Sequence, residues 1–451
     1  MADYAKIFKA YDIRGLVPAE LDEDVAEAVG AAFAVMTQAP SLVTVHDMRT
    51  SSEPLAAAFA RGAISRGADV VNGGLGSTDM LYYASGSLDM PGAMITASHN
   101  PARYNGIKLC RAGARPVGVD TGLTELREMA SRGVPAGRGA PGTVRSQDLL
   151  SGYADYLKAL VDLSGIRPLK VAVDAGNGMA GHTVPRVLAG LPLDVVPLFF
   201  ELDGSFPNHE ANPIDPANLA DLQRAVIDSS ADIGLAFDGD ADRCFVVDER
   251  GEIVSPSVLT ALIAVRELAR EPGATIIHNL ITSRAVPEIV AAHGGTAVRT
   301  RVGHSYIKAV MAERGAIFGG EHSGHFYFRD FWFADSGMLA ALHVLAALGQ
   351  QDRPLSELLA EYSRYVASGE INSEVHDQAA VTAQVRQAFA AQDGVTADEL
   401  DGLTIAGPDW WFNLRPSNTE PLLRLNVEAA DEATLAKVTG EVLGIVGDDA
   451  S

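Results

Sequence analysis

Ser98 stands in the segment Thr96-Ala97-Ser98-His99-Asn100-Pro101, directly after the apolar run Gly92-Ala93-Met94-Ile95. A hydroxyl placed where a buried strand is stopped by an Asn-Pro turn is expected to be rigid and open to solvent, as a nucleophile must be. Serines in turns commonly bond only their own backbone, so the neighbours carry the argument. His99 and, after a short loop, Lys108 in Asn105-Gly106-Ile107-Lys108 add proton-transfer groups and a cation. That is the inventory of a phosphoryl donor or acceptor.

Three later loops carry complementary chemistry. Asp238-Gly239-Asp240-Ala241-Asp242-Arg243 follows the apolar run Ile233–Phe237. Carboxylates alternating with small residues at a strand's carboxyl end can converge three hard oxygen ligands on one cation and leave room for a phosphate oxygen. Glu249, twelfth counting from Asp238, raises a calcium helix-loop-helix, but Arg243 takes the sixth position, where glycine is needed, and the flanks read as strands. A merely solvated acidic turn is the plain alternative, and it leaves three close aspartates repelling one another. Arg415-Pro416-Ser417-Asn418-Thr419-Glu420-Pro421 sets a guanidinium, two hydroxyls and an amide between prolines. Such a fork suits the oxygens of a phosphate dianion, against an ordinary polar turn as the alternative. In Gly320-Glu321-His322-Ser323-Gly324-His325, carboxylate and hydroxyl can read sugar hydroxyls; the two histidines hint at zinc, without nearby cysteines to complete a site.

The elements that must position these loops alternate short β-branched runs with amphipathic helices, the pattern of stacked βα units around mostly parallel sheets. Strands are expected at Leu42–Val45, Val70–Val71, Met94–Thr96, Val171–Val173, Ile233–Phe237 and Thr275–Ile277. Asp215-Pro216 reads as a helix start, with Leu219, Leu222, Val226 and Ile227 as its buried face. The turn-rich stretch Gly133–Gly142, the hairpin-like Asp248-Glu249-Arg250-Gly251 and the change of pattern after Arg353-Pro354 divide the chain into 1–145, 146–251, 252–364 and 365–451. Alternation in 411–414 and 422–427 marks the last part as α+β with an antiparallel sheet.

At 451 residues the chain is too long for one ordinary core. Its 58 acidic against 35 basic residues, net charge −23, argue against nucleic-acid or anionic-membrane partners, so an anionic substrate must be gathered locally by Arg14, Lys108, Arg243 and Arg415. Cys110 and Cys244 exclude a disulfide framework and point to a reducing compartment, with Cys244 read as a small core residue. No signal-like segment opens the sequence, and the apolar run Met338–Leu348 is too short to span a bilayer, so the expectation is a soluble cytoplasmic protein.

In this order and at these separations the loops resemble the α-D-phosphohexomutase superfamily, most of all its bacterial phosphomannomutase/phosphoglucomutase branch. The likeness extends to Phe8-Lys9-Ala10-Tyr11-Asp12-Ile13-Arg14-Gly15, Asp174-Ala175-Gly176-Asn177-Gly178, Phe206-Pro207-Asn208-His209 and Gly303-His304-Ser305. The resemblance implies a four-domain α/β architecture, three similar mixed α/β domains and a C-terminal α+β domain around a central cleft. It implies that Ser98 is the phosphoserine, that Asp238, Asp240 and Asp242 bind Mg²⁺ with its phosphate, and that Glu321 and Ser323 read the sugar. Arg415, Ser417, Asn418 and Thr419 would clamp the phosphate not being transferred. Tyr11, Arg14, Lys108, Arg243, His304 and His325 match cleft positions, and His99 stays a candidate catalytic group from its place beside Ser98. The implied reaction interconverts hexose 1- and 6-phosphates of mannose, glucose or both, through a hexose 1,6-bisphosphate that serves as intermediate and activator, in a monomer or dimer whose partners are small phosphosugars.

Two positions depart from the family pattern. Ile281, in Asn279–Arg284, stands where some relatives have a cleft lysine, a contact then absent or supplied by Arg284. Thr78-Asp79 replaces a usual Thr-Pro, which is expected to alter one surface loop. His322 differs from the glutamine of glucosamine-phosphate mutases, the runner-up. A metal-dependent serine phosphatase would use Ser98 and the aspartates but not the clamp at Arg415, and a non-enzymatic sugar-phosphate sensor would need the clamp and Glu321 but no activated serine.

Overall fold

The structure, a computed structural model, describes residues 3–135, 140–390, 392–416 and 422–447, and of His304 and Ser305 only the backbone. It divides into two compact units. One comprises Met1–Pro256, Met311–Phe318 and Ser323–Leu358; the other comprises Ser257–Val310, Gly319–His322 and Leu359–Ser451.

In the first unit, β1 (Ile13–Leu16), β2 (Ser41–His46), β3 (Asp69–Leu75), β4 (Gly92–Ile95), β5 (Tyr104–Arg111), β6 (Arg115–Pro116) and β7 (Val144–Ser146) form a sheet of order β1-β5-β4-β2-β3-β7, with β6 on β5. β2 runs parallel to β4 with His46 opposite Ile95, so the chains leaving both strands emerge side by side at one sheet edge. Every residue of β4 is buried, the expected signature of a central strand covered on both faces. Helices Glu23–Thr37 and Ser52–Ile64 bury Phe33 and Phe59 in its core.

A second sheet has order β12-β11-β10-β8-β9, from β8 (Leu169–Asp174), β9 (Leu193–Leu198), β10 (Ile233–Phe237), β11 (Cys244–Asp248) and β12 (Ile253–Val254). β8, β9 and β10 are parallel, but β10 and β11 form an antiparallel pair closed by Phe237 opposite Cys244, so the aspartate loop is a hairpin tip. Asp215 caps a short 3₁₀ turn, Pro216–Leu219, ahead of helix Ala220–Ser229. Leu219, Leu222 and Val226 are buried as expected, whereas Ile227 is 57% exposed. One residue beyond Val226, it is turned about 100° away from the buried stripe.

β13 (Thr275–Asn279) and β14 (Thr296–Thr300) pair in parallel within the second unit. β15 (Phe318–Gly320) is divided between the units, while β16 (Phe326–Phe328) and β17 (Ala334–Asp335) pair antiparallel in the first. There too the apolar run Met338–Leu348 lies in helix Gly337–Gly349, buried along its whole length. Among the described residues no helix is long and apolar enough to cross a membrane.

The C-terminal part of the second unit is the expected antiparallel sheet, β18 (Val366–Glu374), β19 (Thr396–Asp398), β20 (Leu403–Ala406), β21 (Trp410–Pro416) and β22 (Leu422–Ala429), in order β18-β22-β21-β20-β19. Val381, Val385 and Phe389 of helix Gln378–Phe389 and Val438, Val442 and Val446 of helix Glu432–Gly447 join the apolar core built on its inner strands.

Candidate active site

Ser98 lies just past the carboxyl end of β4, with φ +52°, a left-handed conformation that serine adopts at a cost. What holds it there is Arg49, which leaves the adjacent strand β2. Its Nη2 donates to the carbonyls of Ser98 (2.9 Å) and Asn100 (2.6 Å), its Nη1 to those of Pro101 and Tyr104 (3.0 Å each), and its Nε to Asp47 Oδ2 (3.2 Å). The side chains of Arg49 and Asp47 are 1% and 0% exposed. Sequence reasoning missed this pair; its signal was Asp47-Met48-Arg49, separated by one residue from the expected strand Leu42–Val45, a carboxyl-end loop position.

The expectation of a solvent-open hydroxyl is corrected: Ser98 is only 2% exposed. The aspartate loop covers it. Ser98 Oγ donates to Asp238 Oδ2 at 2.8 Å and lies 3.1 Å from His99 Nδ1. Gly239 is part of that cover, since a Cβ there would fall 2.5 Å from the Ser98 carbonyl oxygen. Arg243 approaches the same histidine, its Nη2 3.1 Å from Nδ1, and donates its backbone N–H to Asp238 Oδ1 at 3.2 Å. Burial, with Arg243 and Arg14 nearby, holds the His99 pKa well below the usual histidine range.

Asp238, Asp240 and Asp242 are buried with one carboxylate oxygen of each within 4.8 Å of the others. Burial and the charges of Asp242 and Asp240 push the Asp238 carboxyl up to about 8. Burial works in the same direction on Asp240, but Lys108 outweighs it and holds that carboxyl below its ordinary range. Lys108 Nζ donates to Oδ2 of both Asp240 and Asp242 at 2.7 Å, and these partners raise its own pKa against the lowering effect of burial. Asp240 Oδ1 and Asp242 Oδ1 are buried with no hydrogen-bond partner. Three converging carboxylates, two with an orphaned buried oxygen, fit a hard divalent cation.

His325 and Asp335, the latter not foreseen, complete this cluster: Nδ1 donates to Asp335 Oδ2 at 2.9 Å and lies 3.8 Å from Asp242 Oδ1. Arg14 reaches the Ser98 loop through Asn100 Oδ1 and pairs with Asp12. Tyr11 is half-buried just before β1, and Ser323 is half-buried beside His325 in sequence. Cys244 is the expected core residue, wholly buried with its thiol pKa raised by that burial. The expected surface loop at Thr78-Asp79 is corrected: both residues are 0% exposed in the first turn of helix Thr78–Leu88. Asp79 accepts from the hydroxyls of Ser77, Tyr153 and Ser336, so the pair is tied into the interior.

In the second unit, Glu321 is buried at the end of β15 and accepts from Asn279 Nδ2 (3.3 Å) and the Gly303 N–H (3.2 Å). Arg415 Nη2 donates to Glu370 Oε2 at 3.2 Å. Burial lowers the His322 pKa, with Glu370 and Arg415 near enough to act on it in opposite senses. Ile281 packs with Leu280 and Trp411 in a small apolar cluster. Arg284 is engaged with Glu288 Oε1, the Pro408 carbonyl and the Tyr365 ring. Ser417, Asn418 and Thr419 lie outside the described residues, as does the side chain of His304.

Four family models match along the chain in order: Phosphoglucomutase/phosphomannomutase, alpha/beta/alpha domains I, II and III over residues 5–132, 151–251 and 256–365, and the C-terminal domain over 370–445. A phosphomannomutase of Salmonella montevideo is 40% identical over 449 residues, 97% of this chain and 98% of that protein. Phosphohexose mutases of Xanthomonas campestris pv. campestris are 40% identical over 430 residues, 95% and 96% of the two chains. The crystal structure of a phosphoglucomutase/phosphomannomutase family protein from Burkholderia thailandensis matches with TM-score 0.90 and 33% identity, covering 100% of this chain and 98% of that one. A Paramecium phosphoglucomutase, at 19% identity and TM-score 0.77 over 97% of this chain and 94% of that one, shares the fold.

Proposed function

The chain belongs to the phosphoglucomutase/phosphomannomutase family, and from that premise we propose that it interconverts hexose 1-phosphates and hexose 6-phosphates, of mannose, glucose or both, with Ser98 as the group that carries the phosphoryl. The single observation behind this reading is Ser98 Oγ lodged 2.8 Å from Asp238 in a pocket of three aspartates.

Asp238, Asp240 and Asp242 would hold Mg²⁺ together with the phosphate on Ser98; when bound, the ion supplies charge neutralisation at the phosphoryl oxygens. The protein's own groups do the rest. Arg49 fixes the Ser98 carbonyl and so aims Oγ. Arg243 and Lys108 bring positive charge to the loop that the phosphoryl leaves and rejoins. His325, held through Nδ1 by Asp335, is left with Nε2 to take the proton from the attacking sugar hydroxyl. The phosphoryl then passes from Ser98 Oγ to that hydroxyl, giving a hexose 1,6-bisphosphate; after the sugar turns, its other phosphoryl returns to Ser98. Glu321 and Ser323 would read the sugar, with Tyr11, Arg14 and His304 lining its approach, while Arg415, Ser417, Asn418 and Thr419 hold the phosphate that is not transferred. Small phosphosugars are thus the partners, and the buried Cys110 and Cys244, joined by no disulfide, suit the expected cytoplasm.

Incubation with glucose 1-phosphate and Mg²⁺, a trace of glucose 1,6-bisphosphate being added, should yield glucose 6-phosphate, and intact mass should show one phosphate on Ser98. Release of free phosphate in place of the isomer would return the serine phosphatase to favour.

A further inference from the structure

If Asp238, Asp240 and Asp242 hold the cation, as this inference requires, something must keep one oxygen of each buried carboxylate clear for it. At Asp240 the arrangement is visible. Oδ2 accepts from Lys108 Nζ at 2.7 Å and from Thr78 Oγ1 at 2.6 Å, while Oδ1 is buried without a partner. Thr78 also donates its backbone N–H to the Asp240 carbonyl at 3.0 Å. One threonine therefore grips residue 240 by main chain and side chain together.

Thr78 is itself firmly seated. It opens helix Thr78–Leu88, whose N-cap, Ser77, accepts from the Met80 N–H at 3.3 Å. Its neighbour Asp79 gathers hydroxyls from separate segments: Ser77, Tyr153 Oη at 2.7 Å from helix Leu150–Leu160, and Ser336 Oγ at 2.6 Å, the N-cap of helix Gly337–Gly349. A side chain tied to two further helices fixes both the rotation and the height of the first helical turn, and Thr78 is carried with it.

We propose that Thr78, seated by the Asp79 hydroxyl cluster, is a positioning residue for the cation site: its hydroxyl and N–H hold Asp240 so that Oδ1 faces the ion. A carboxylate has two equivalent oxygens and turns about its last bond at little cost. Two donors on Oδ2 remove that freedom. The hydroxyl does so without adding positive charge, so the carboxylate keeps more of its attraction for the cation than a second ammonium would leave it. Hydrogen-bond partners of metal ligands typically govern metal affinity by about 10- to 100-fold.

The test is Mn²⁺ binding to the full chain, followed by the electron paramagnetic resonance signal of the free ion, without sugar phosphate. Thr78→Val, which replaces hydroxyl by methyl at equal volume, should bind Mn²⁺ about 10-fold more weakly, and Thr78→Ser, which keeps the donor, should stay within about twofold of wild type. Turnover of the valine variant should climb back as Mg²⁺ is raised, with the KM for glucose 1-phosphate unmoved. Wild-type Mn²⁺ affinity in a folded Thr78→Val, judged by circular dichroism, overturns the role of Thr78 and leaves the mutase reading standing. Should that variant not fold, Thr78→Ala against Thr78→Ser decides the matter, and equal affinities overturn the role. A wild-type chain that binds no Mn²⁺ overturns the metal site and this inference with it.

Discussion

Arg49 and Arg415 carry the same guanidinium into opposite surroundings. The Arg49 side chain is 1% exposed, and its guanidinium donates to four carbonyls of the Ser98 loop and to Asp47. Arg415 keeps 15% of its side chain exposed, its partner Glu370 keeps 29%, and the pair meets at 3.2 Å on a strand end. A guanidinium spent wholly on four carbonyls and a buried carboxylate has no donor left for a ligand, so its effect is on shape. One paired with a half-exposed carboxylate can exchange that partner for a phosphate at modest cost. Loss of stability and loss of activity should therefore separate between the two regions.

The largest effect belongs to neither arginine but to the group that the first one aims. Ser98→Ala should lower mutase turnover on the order of 10⁴-fold or more, and the phosphate should vanish from the intact mass. Stability should change by only about 1 kcal/mol, the worth of one buried hydrogen bond. Wild-type-like turnover would remove Ser98 from the reaction and empty the comparison of its meaning.

Arg49→Met tests the shape-holding side. It leaves the buried Asp47 without its charged partner, held by the Ser52 hydroxyl and a backbone N–H, and takes the Arg49 donors from four carbonyls, so urea unfolding should show a loss of about 3–5 kcal/mol. A loss under about 1 kcal/mol, the range of exposed ion pairs, would mean that the Ser98 loop holds its left-handed turn without help.

Arg415→Ala should behave in the reverse way. We expect kcat/KM to fall by about 2–4 kcal/mol of transition-state stabilisation for glucose 1-phosphate and mannose 1-phosphate alike, because the contact proposed for Arg415 is to phosphate. Unfolding free energy should stay within about 1 kcal/mol of wild type. Turnover of both sugars within about twofold of wild type would reduce this strand end to an ordinary turn.

The smallest expected effect concerns pH and sharpens the contrast from the buried side. Burial pushes the Asp79 carboxyl from its ordinary 3.8 up to about 7, against the opposing pull of hydroxyls from Ser336, Ser77 and Tyr153 and with Asp242 adding to the rise. The folded protein then holds this proton more tightly than the unfolded chain does. Its favourable contribution is complete below about pH 4 and is lost as pH rises through 7. Asp79→Asn should flatten the stability profile between pH 5 and 8 by on the order of 2 kcal/mol relative to wild type. Parallel profiles for the two proteins would show that the carboxyl titrates in its ordinary range and that the hydroxyl cluster holds it ionised.

The chain by itself settled whatever depends on short windows. The aspartate loop was legible as a tight loop between strands because three alternating carboxylates follow one apolar run and precede another; that the two strands pair antiparallel was not. Ser98 was legible because an Asn-Pro turn ends a buried run, and the C-terminal antiparallel sheet because alternation of period two survives in 411–414 and 422–427. Tertiary structure decided the rest. Arg49 meets Ser98 only because β2 and β4 pair in parallel with His46 beside Ile95. Thr78 meets Asp240 across 162 positions of sequence, and Asp79 meets Ser336 across 257. Ser98 turned out buried because the aspartate loop, 140 positions on, covers it. Burial is the sum of what distant segments bring to a residue, and turn chemistry and periodicity report only on the few neighbours that share its window.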